Sequence, residues 1–155
     1  MLIRLVAVGT RMPEWVEAGF RDYARRLPRE CALALREIEP GRRGKNADIG
    51  RAVMEEGRRI QAALGAGDQV VALDLSGREW TTPELADCLR RWLALGRNLA
   101  LLVGGPDGLS GTCLERAHER WRLSALTLPH PLVRLVVAEQ LYRAWSLLQN
   151  HPYHR

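Results

Sequence analysis

Short apolar runs alternate along this chain with longer segments in which apolar residues recur every three or four positions. Leu2–Val8, Leu33–Ile38, Gln69–Leu75, Leu99–Val103 and Ser124–Leu128 have the length and Val/Leu content of strands. Glu14–Leu27, Asp48–Leu64, Thr82–Leu95, Thr112–Trp121 and Pro131–Gln149 carry helical periodicity. Punctuation supports these limits. Met12-Pro13 and Pro28 bracket the first helix, Pro40-Gly41 ends the second strand, and Gly65-Ala66-Gly67 and Gly96 stop the next two helices. Thr82-Pro83-Glu84-Leu85 reads as a Thr cap followed by proline in the first turn. The alternation of strand and helix predicts an α/β fold: a mainly parallel sheet sandwiched by helices, in one domain over residues 1–155.

The last helix departs from the amphipathic norm. Leu132, Val133, Leu135, Val136, Val137, Leu141, Tyr142, Trp145, Leu147 and Leu148 leave little of its circumference polar. Such a helix must be covered on more than one side, and a sheet covers only one. A homodimer through this helix is the expectation. Its polar stripe is Glu139, Arg143, Ser146 and Asn150, with Glu139 and Arg143 spaced to pair.

Size and charge narrow the class. A chain of 155 residues and 17.5 kDa buries a full core without staples. A net charge of +5 permits a polyanionic partner without requiring one. Cys31, Cys88 and Cys113 are odd in number and form no C-x-x-C pair, which fits reduced thiols and a cytoplasmic location. Neither a signal peptide nor a membrane-spanning run is read.

Four stretches carry candidate chemistry. Gly104-Gly105-Pro106-Asp107-Gly108 follows a strand, at the sheet edge where α/β ligands bind; a tight turn explains the glycines equally well. Ser124–Leu128 runs into Pro129-His130-Pro131, where two prolines would hold the imidazole over that edge, unless His130 is simply exposed. Arg42, Arg43 and Lys45 stand among glycines in a basic loop, suited to phosphate or to solvent. Finally, His151-Pro152-Tyr153-His154-Arg155 gathers acid/base and anion-binding groups where inert, frayed residues are usual. The His151-x-x-His154 spacing lacks carboxylate or thiolate partners, so no metal is expected.

Together these motifs, with Leu5–Thr10, Met12-Pro13, Gly44–Ile49 and Leu123–His130, resemble the RlmH family of SPOUT-class methyltransferases along essentially the whole chain. The resemblance implies a C-terminal trefoil knot, S-adenosylmethionine as cofactor, and methylation of N3 of pseudouridine 1915 in helix 69 of bacterial 23S rRNA on the assembled ribosome. It places the cofactor against Leu73, Gly104, Gly105, Ser124, Ala125, Leu126, Thr127 and Leu128. Asp107 stands where the family is expected to have Glu, so the acid is kept.

The chemistry so implied needs a base, because the ring nitrogen holds a proton at neutral pH. It also needs cations for the developing ring anion. His130 or His154 would take or relay the proton, Arg143 and Arg155 would offset charge, and Tyr153 would stack on or bond to a base. Glu139 could read the extra ring N–H of a pseudouridine, and Arg42, Arg43 and Lys45 would touch phosphates. The competing reading is a non-catalytic RNA- or ribosome-binding module of the same fold. Nucleotide-dependent enzymes are disfavoured because their phosphate fingerprints are missing.

Overall fold

The computed structural model describes residues 1–155. The elements are β1 (Leu2–Val8), α1 (Glu14–Arg26), β2 (Ala32–Ile38), α2 (Ile49–Ala62), β3 (Gln69–Arg78), α3 (Thr82–Leu95), β4 (Leu99–Val103), α4 (Gly111–Arg116), β5 (Glu119–Trp121) and α5 (His130–Leu148). The five strands pair in parallel in the order β2-β1-β4-β3-β5. Helices cover both faces, so central strands are apolar on both sides, and all five residues of β4 are buried.

Strand alternation divides the core in two. Ile3, Leu5, Val71, Leu99, Leu101 and Val103 share a cluster with Phe20 of α1, Leu85, Leu89 and Trp92 of α3, and Val137 and Leu141 of α5. Val6, Val8, Val70, Ala72, Ala100 and Leu102 belong to a smaller cluster with Ile60 of α2 and Cys113 of α4.

Helix α5 packs against both α1 and α3. A Cβ on Gly19 would stand 2.6 Å from Leu135, so α1 approaches α5 closely, and Thr82 at the start of α3 hydrogen-bonds Gln140 at 2.9 Å. Val137, Ala138, Leu141 and Ala144 are buried, while Leu132, Val133, Leu135, Val136, Leu147 and Leu148 are half-buried. Two flanking helices thus supply part of the cover that the sheet cannot. The apolar girth of α5 does not by itself require a second chain.

Two expected elements differ. Ser124–Leu128 is not a strand but a loop, turned by the Leu126 N–H donating to Ser124 Oγ at 2.9 Å, with Leu126 74% exposed. The fifth strand is Glu119–Trp121, and the helix expected over Thr112–Trp121 spans only Gly111–Arg116. A short, polar edge strand has no apolar run to announce it. Its position is fixed by pairing instead: Leu73 faces Trp121, and the His118 N–H donates to the Val70 carbonyl at 2.8 Å. The cap of α3 is Thr81, one residue earlier than expected, and forms a reciprocal capping box with Glu84.

Between Leu73 and Arg78, both paired to Trp121, β3 bulges. Asp74 accepts from the backbone N–H of Ser76 at 3.0 Å and from its hydroxyl. Gly77 lies against the Arg120–Trp121 backbone, where a Cβ would come within 2.6 Å. The bulge forms one wall of the cleft described next.

Candidate cofactor and RNA site

A cleft of about 570 Å³ opens at the carboxyl end of β4, beside the bulge of β3. Leu73, Asp74 and Leu75 form one wall, residues 103–108 the floor, and Ser124, Leu126, Thr127, Leu128 and His130 the other wall. The loop that fails to be a strand therefore lines this cleft, which accounts for apolar residues facing solvent. Of the expected cofactor residues, only Ala125 does not line it.

The glycine loop is a tight turn and also lines the cleft. The Gly108 N–H donates to the Gly105 carbonyl at 3.1 Å, and Gly108 has φ +80°. A Cβ on Gly104 would stand 2.5 Å from the Gly108 carbonyl carbon, so only glycine fits.

Behind this loop lies a polar network that the sequence motifs did not reveal. Arg43 donates from Nε to Asp107 at 2.9 Å and pairs through NH1 with Glu56, which is 2% exposed. Glu56 also accepts the Gly41 N–H at 3.0 Å. These carboxylates, Glu56 first, raise the Arg43 pKa above its ordinary value. Arg43 is thus committed to two acids, and the expected phosphate contact does not suit it. Arg42 and Lys45 are exposed, and with Arg51 they line a second cleft of about 650 Å³ beside the start of α2.

His130 begins α5 and faces the cleft. Burial, then the charge of Arg134, lowers its pKa, opposed by a hydrogen bond to the Gly104 backbone. The imidazole is held neutral, and its Nε2 is buried without a partner. Arg134, 1% exposed, donates to the Gly9 carbonyl at 2.9 Å and to Glu37 at 2.7 Å. A cation at a core position of an apolar helix was the available signal for Arg134.

The tail folds back as a 3-10 turn over Pro152–His154. The His151 N–H donates to the Ser146 carbonyl at 2.8 Å. The Tyr153 ring packs edge-on to Tyr142 at 4.5 Å, and its hydroxyl donates to Glu139 at 3.1 Å, 3.5 Å from the Tyr23 hydroxyl. Burial first, then Tyr23 and Glu139, pushes the Tyr153 pKa up. Arg143 pairs with Glu139 at 2.6 Å, as their spacing predicts, and lies over the Tyr153 ring at 5.1 Å. His154 Nδ1 is buried without a partner, and Arg155 is exposed. The structure brings Glu139, Arg143 and Tyr153 together. None of these, nor His154 or Arg155, lines the cleft of its own chain. No group of three or more His, Cys, Asp or Glu is placed to hold a metal ion. No helix is long and apolar enough to cross a membrane.

A parallel sheet with helices on both faces and a glycine-floored cleft at its carboxyl edge defines a cofactor-binding α/β protein. The family model described as "Predicted SPOUT methyltransferase" matches residues 1–154. The chain is 62% identical over 155 residues to ribosomal RNA large subunit methyltransferase H of Methylococcus capsulatus (strain ATCC 33009 / NCIMB 11132 / Bath), covering 100% of both chains. Among solved structures, it superposes on a probable methylase family protein from Haemophilus influenzae Rd KW20 with TM-score 0.60, at 16% identity, covering 99% of this chain and 70% of that one. TrmJ from Z. mobilis ZM4 gives TM-score 0.52 at 15% identity, covering 92% and 68%. These two likenesses bear on the fold alone. The chain belongs to the RlmH family of SPOUT methyltransferases.

SPOUT methyltransferases use S-adenosylmethionine. The cleft fits such a molecule. Leu73, Leu75, Leu126 and Leu128 offer apolar surface to an adenine, the Gly104–Gly105 backbone permits close approach, and Asp74 suits a ligand carrying positive charge.

Proposed function

We propose that this protein methylates N3 of pseudouridine 1915 in helix 69 of 23S rRNA, on the assembled ribosome in the cytoplasm, as a homodimer joined through α5. The full-length identity to a ribosomal RNA large subunit methyltransferase carries this reading. The trefoil knot expected in the C-terminal part belongs to the same proposal.

The cofactor, when bound, supplies an already electrophilic methyl group. This chain's residues then have to orient the acceptor, remove its N3 proton and offset the resulting charge. His130 faces the cleft as a neutral imidazole, the form a base requires. His154, with a buried ring nitrogen free of partners, is the second candidate and would act from the tail. Arg155 is exposed and free to meet a phosphate or ring carbonyl. Glu139, Arg143 and Tyr153 form a preassembled acid, cation and aromatic set that rRNA can approach. Arg42 and Lys45 would add salt-sensitive phosphate contacts.

In the dimer, the tail of one subunit completes the cleft of its partner. That arrangement accounts for reactive tail residues that do not line the cleft of their own chain. The test is transfer of labelled methyl groups from S-adenosylmethionine to unmodified ribosomes, large subunits and naked 23S rRNA. Label at the pseudouridine N3 in assembled ribosomes is expected. RNA binding with no cofactor binding would instead mark a non-catalytic module.

A further inference from the structure

Arg43 joins two loops that lie far apart in sequence. One is the basic loop after β2. The other is the floor of the cofactor cleft after β4. We infer that Arg43 and Glu56 are positioning residues for the cofactor loop, acting as a latch beneath Gly105 and through Asp107. This inference rests on the cofactor-binding reading of that cleft.

The latch is anchored from below. Gly41 packs so tightly on α2 that a Cβ would stand 2.3 Å from the Ala52 carbonyl oxygen. Its N–H also donates to Glu56 at 3.0 Å. The base of the basic loop is therefore fixed to α2. Arg43 reaches from this base to Glu56 and, at 2.9 Å, to Asp107 in the cleft floor.

Glu56 stands directly under the glycine loop. Both of its carboxylate oxygens lie 3.4 Å from where a Cβ on Gly105 would be, and Oε2 is buried with no partner. Arg43 is the only side chain bonded to this buried carboxylate. Without it, an uncompensated negative charge would sit against Gly105, with Asp107 released nearby. The segment would relax by moving the floor on which the cofactor must lie. Arg43 thus serves the cofactor, while its exposed neighbours Arg42 and Lys45 remain available to phosphates.

Affinity for S-adenosylmethionine, measured by calorimetry on the full chain, tests this together with separate KM values for cofactor and ribosome. Arg43→Ala and Glu56→Gln should weaken cofactor binding about tenfold, with the ribosome KM unchanged. Asp107→Asn should weaken it about threefold, and Asp107→Glu should restore it to within about twofold of wild type. Arg90→Ala, a change at an exposed surface pair, controls for unspecific loss. Thermal melts identify any variant that fails to fold. If Arg43→Ala does so, the Asn/Glu contrast at the partly exposed Asp107 decides. Wild-type cofactor affinity in Arg43→Ala, with a raised ribosome KM, would make Arg43 a phosphate contact and overturn the latch alone. A wild-type protein that binds no cofactor would overturn the underlying reading and the latch with it.

Discussion

The cleft and the tail hold their residues by different physical means. The cleft is made of backbone: glycines packed backbone to backbone, a bulge in β3 and a loop turned by Ser124, with an arginine locked behind them. The tail is made of side chains: Tyr153 on Tyr142, a hydroxyl on Glu139, and Arg143 over the ring. A backbone site tolerates almost no change of shape, whereas a side-chain cluster can exchange partners when a ligand arrives. That division suits the roles proposed for them, one invariant cofactor for the cleft and a large RNA surface for the tail.

The contrast can be broken at either end. Gly104→Val forces a side chain into the Gly108 backbone and should abolish cofactor binding, more than about a hundredfold in Kd by calorimetry. Deleting residues 151–155 should cut methyl transfer about a hundredfold while leaving cofactor affinity within about twofold, read by single-turnover kinetics beside calorimetry. Tyr153→Phe removes the hydroxyl that bonds Glu139 and, at 3.5 Å, Tyr23, and should cost about 1 kcal/mol of stability in a urea melt.

The smallest effect is one of pH. Burial, then Arg134, holds the folded-state pKa of His130 below its ordinary 6.5. The group is neutral in both folded and unfolded states above that value, so it costs nothing there. As pH falls below 6.5 the unfolded chain takes up the proton first, and stability declines until the lowered folded value is passed. His130→Asn should flatten this part of a stability profile taken between about pH 7.5 and pH 5.

Local pattern made most of the fold legible. Leu2–Val8 and Leu99–Val103 read as strands because both faces of a parallel sheet are covered, and Gly96 and Pro83 mark helix limits by their own backbone constraints. The misreading at Ser124–Leu128 came from apolar residues that serve a cleft rather than a core. Glu119–Trp121 escaped because edge pairing, not composition, makes it a strand. The apolar girth of α5 did not tell which of its sides α1 and α3 would cover, since that depends on where elements dock.

In the site, the glycine loop, the Leu126 loop and the Glu139–Arg143 pair were visible as short motifs. Glu56 was not marked, because nothing local tells its buried charge from a solvated one until Arg43 is placed, and Arg134 was marked only by its place on an otherwise apolar helix. The resemblance to RlmH supplied what local pattern could not: the identity of the cofactor.

We propose that cleft and tail form one active site across two subunits. Mixing Gly104→Val protein with the 151–155 deletion, under conditions of subunit exchange, tests it most directly. Each mixed dimer would hold one intact cleft facing one intact tail. An equal mixture should then recover about a quarter of the wild-type methylation rate, although neither parent is active alone. A rate that stays at background despite demonstrated exchange would contradict a shared site and place the tail's action within its own chain.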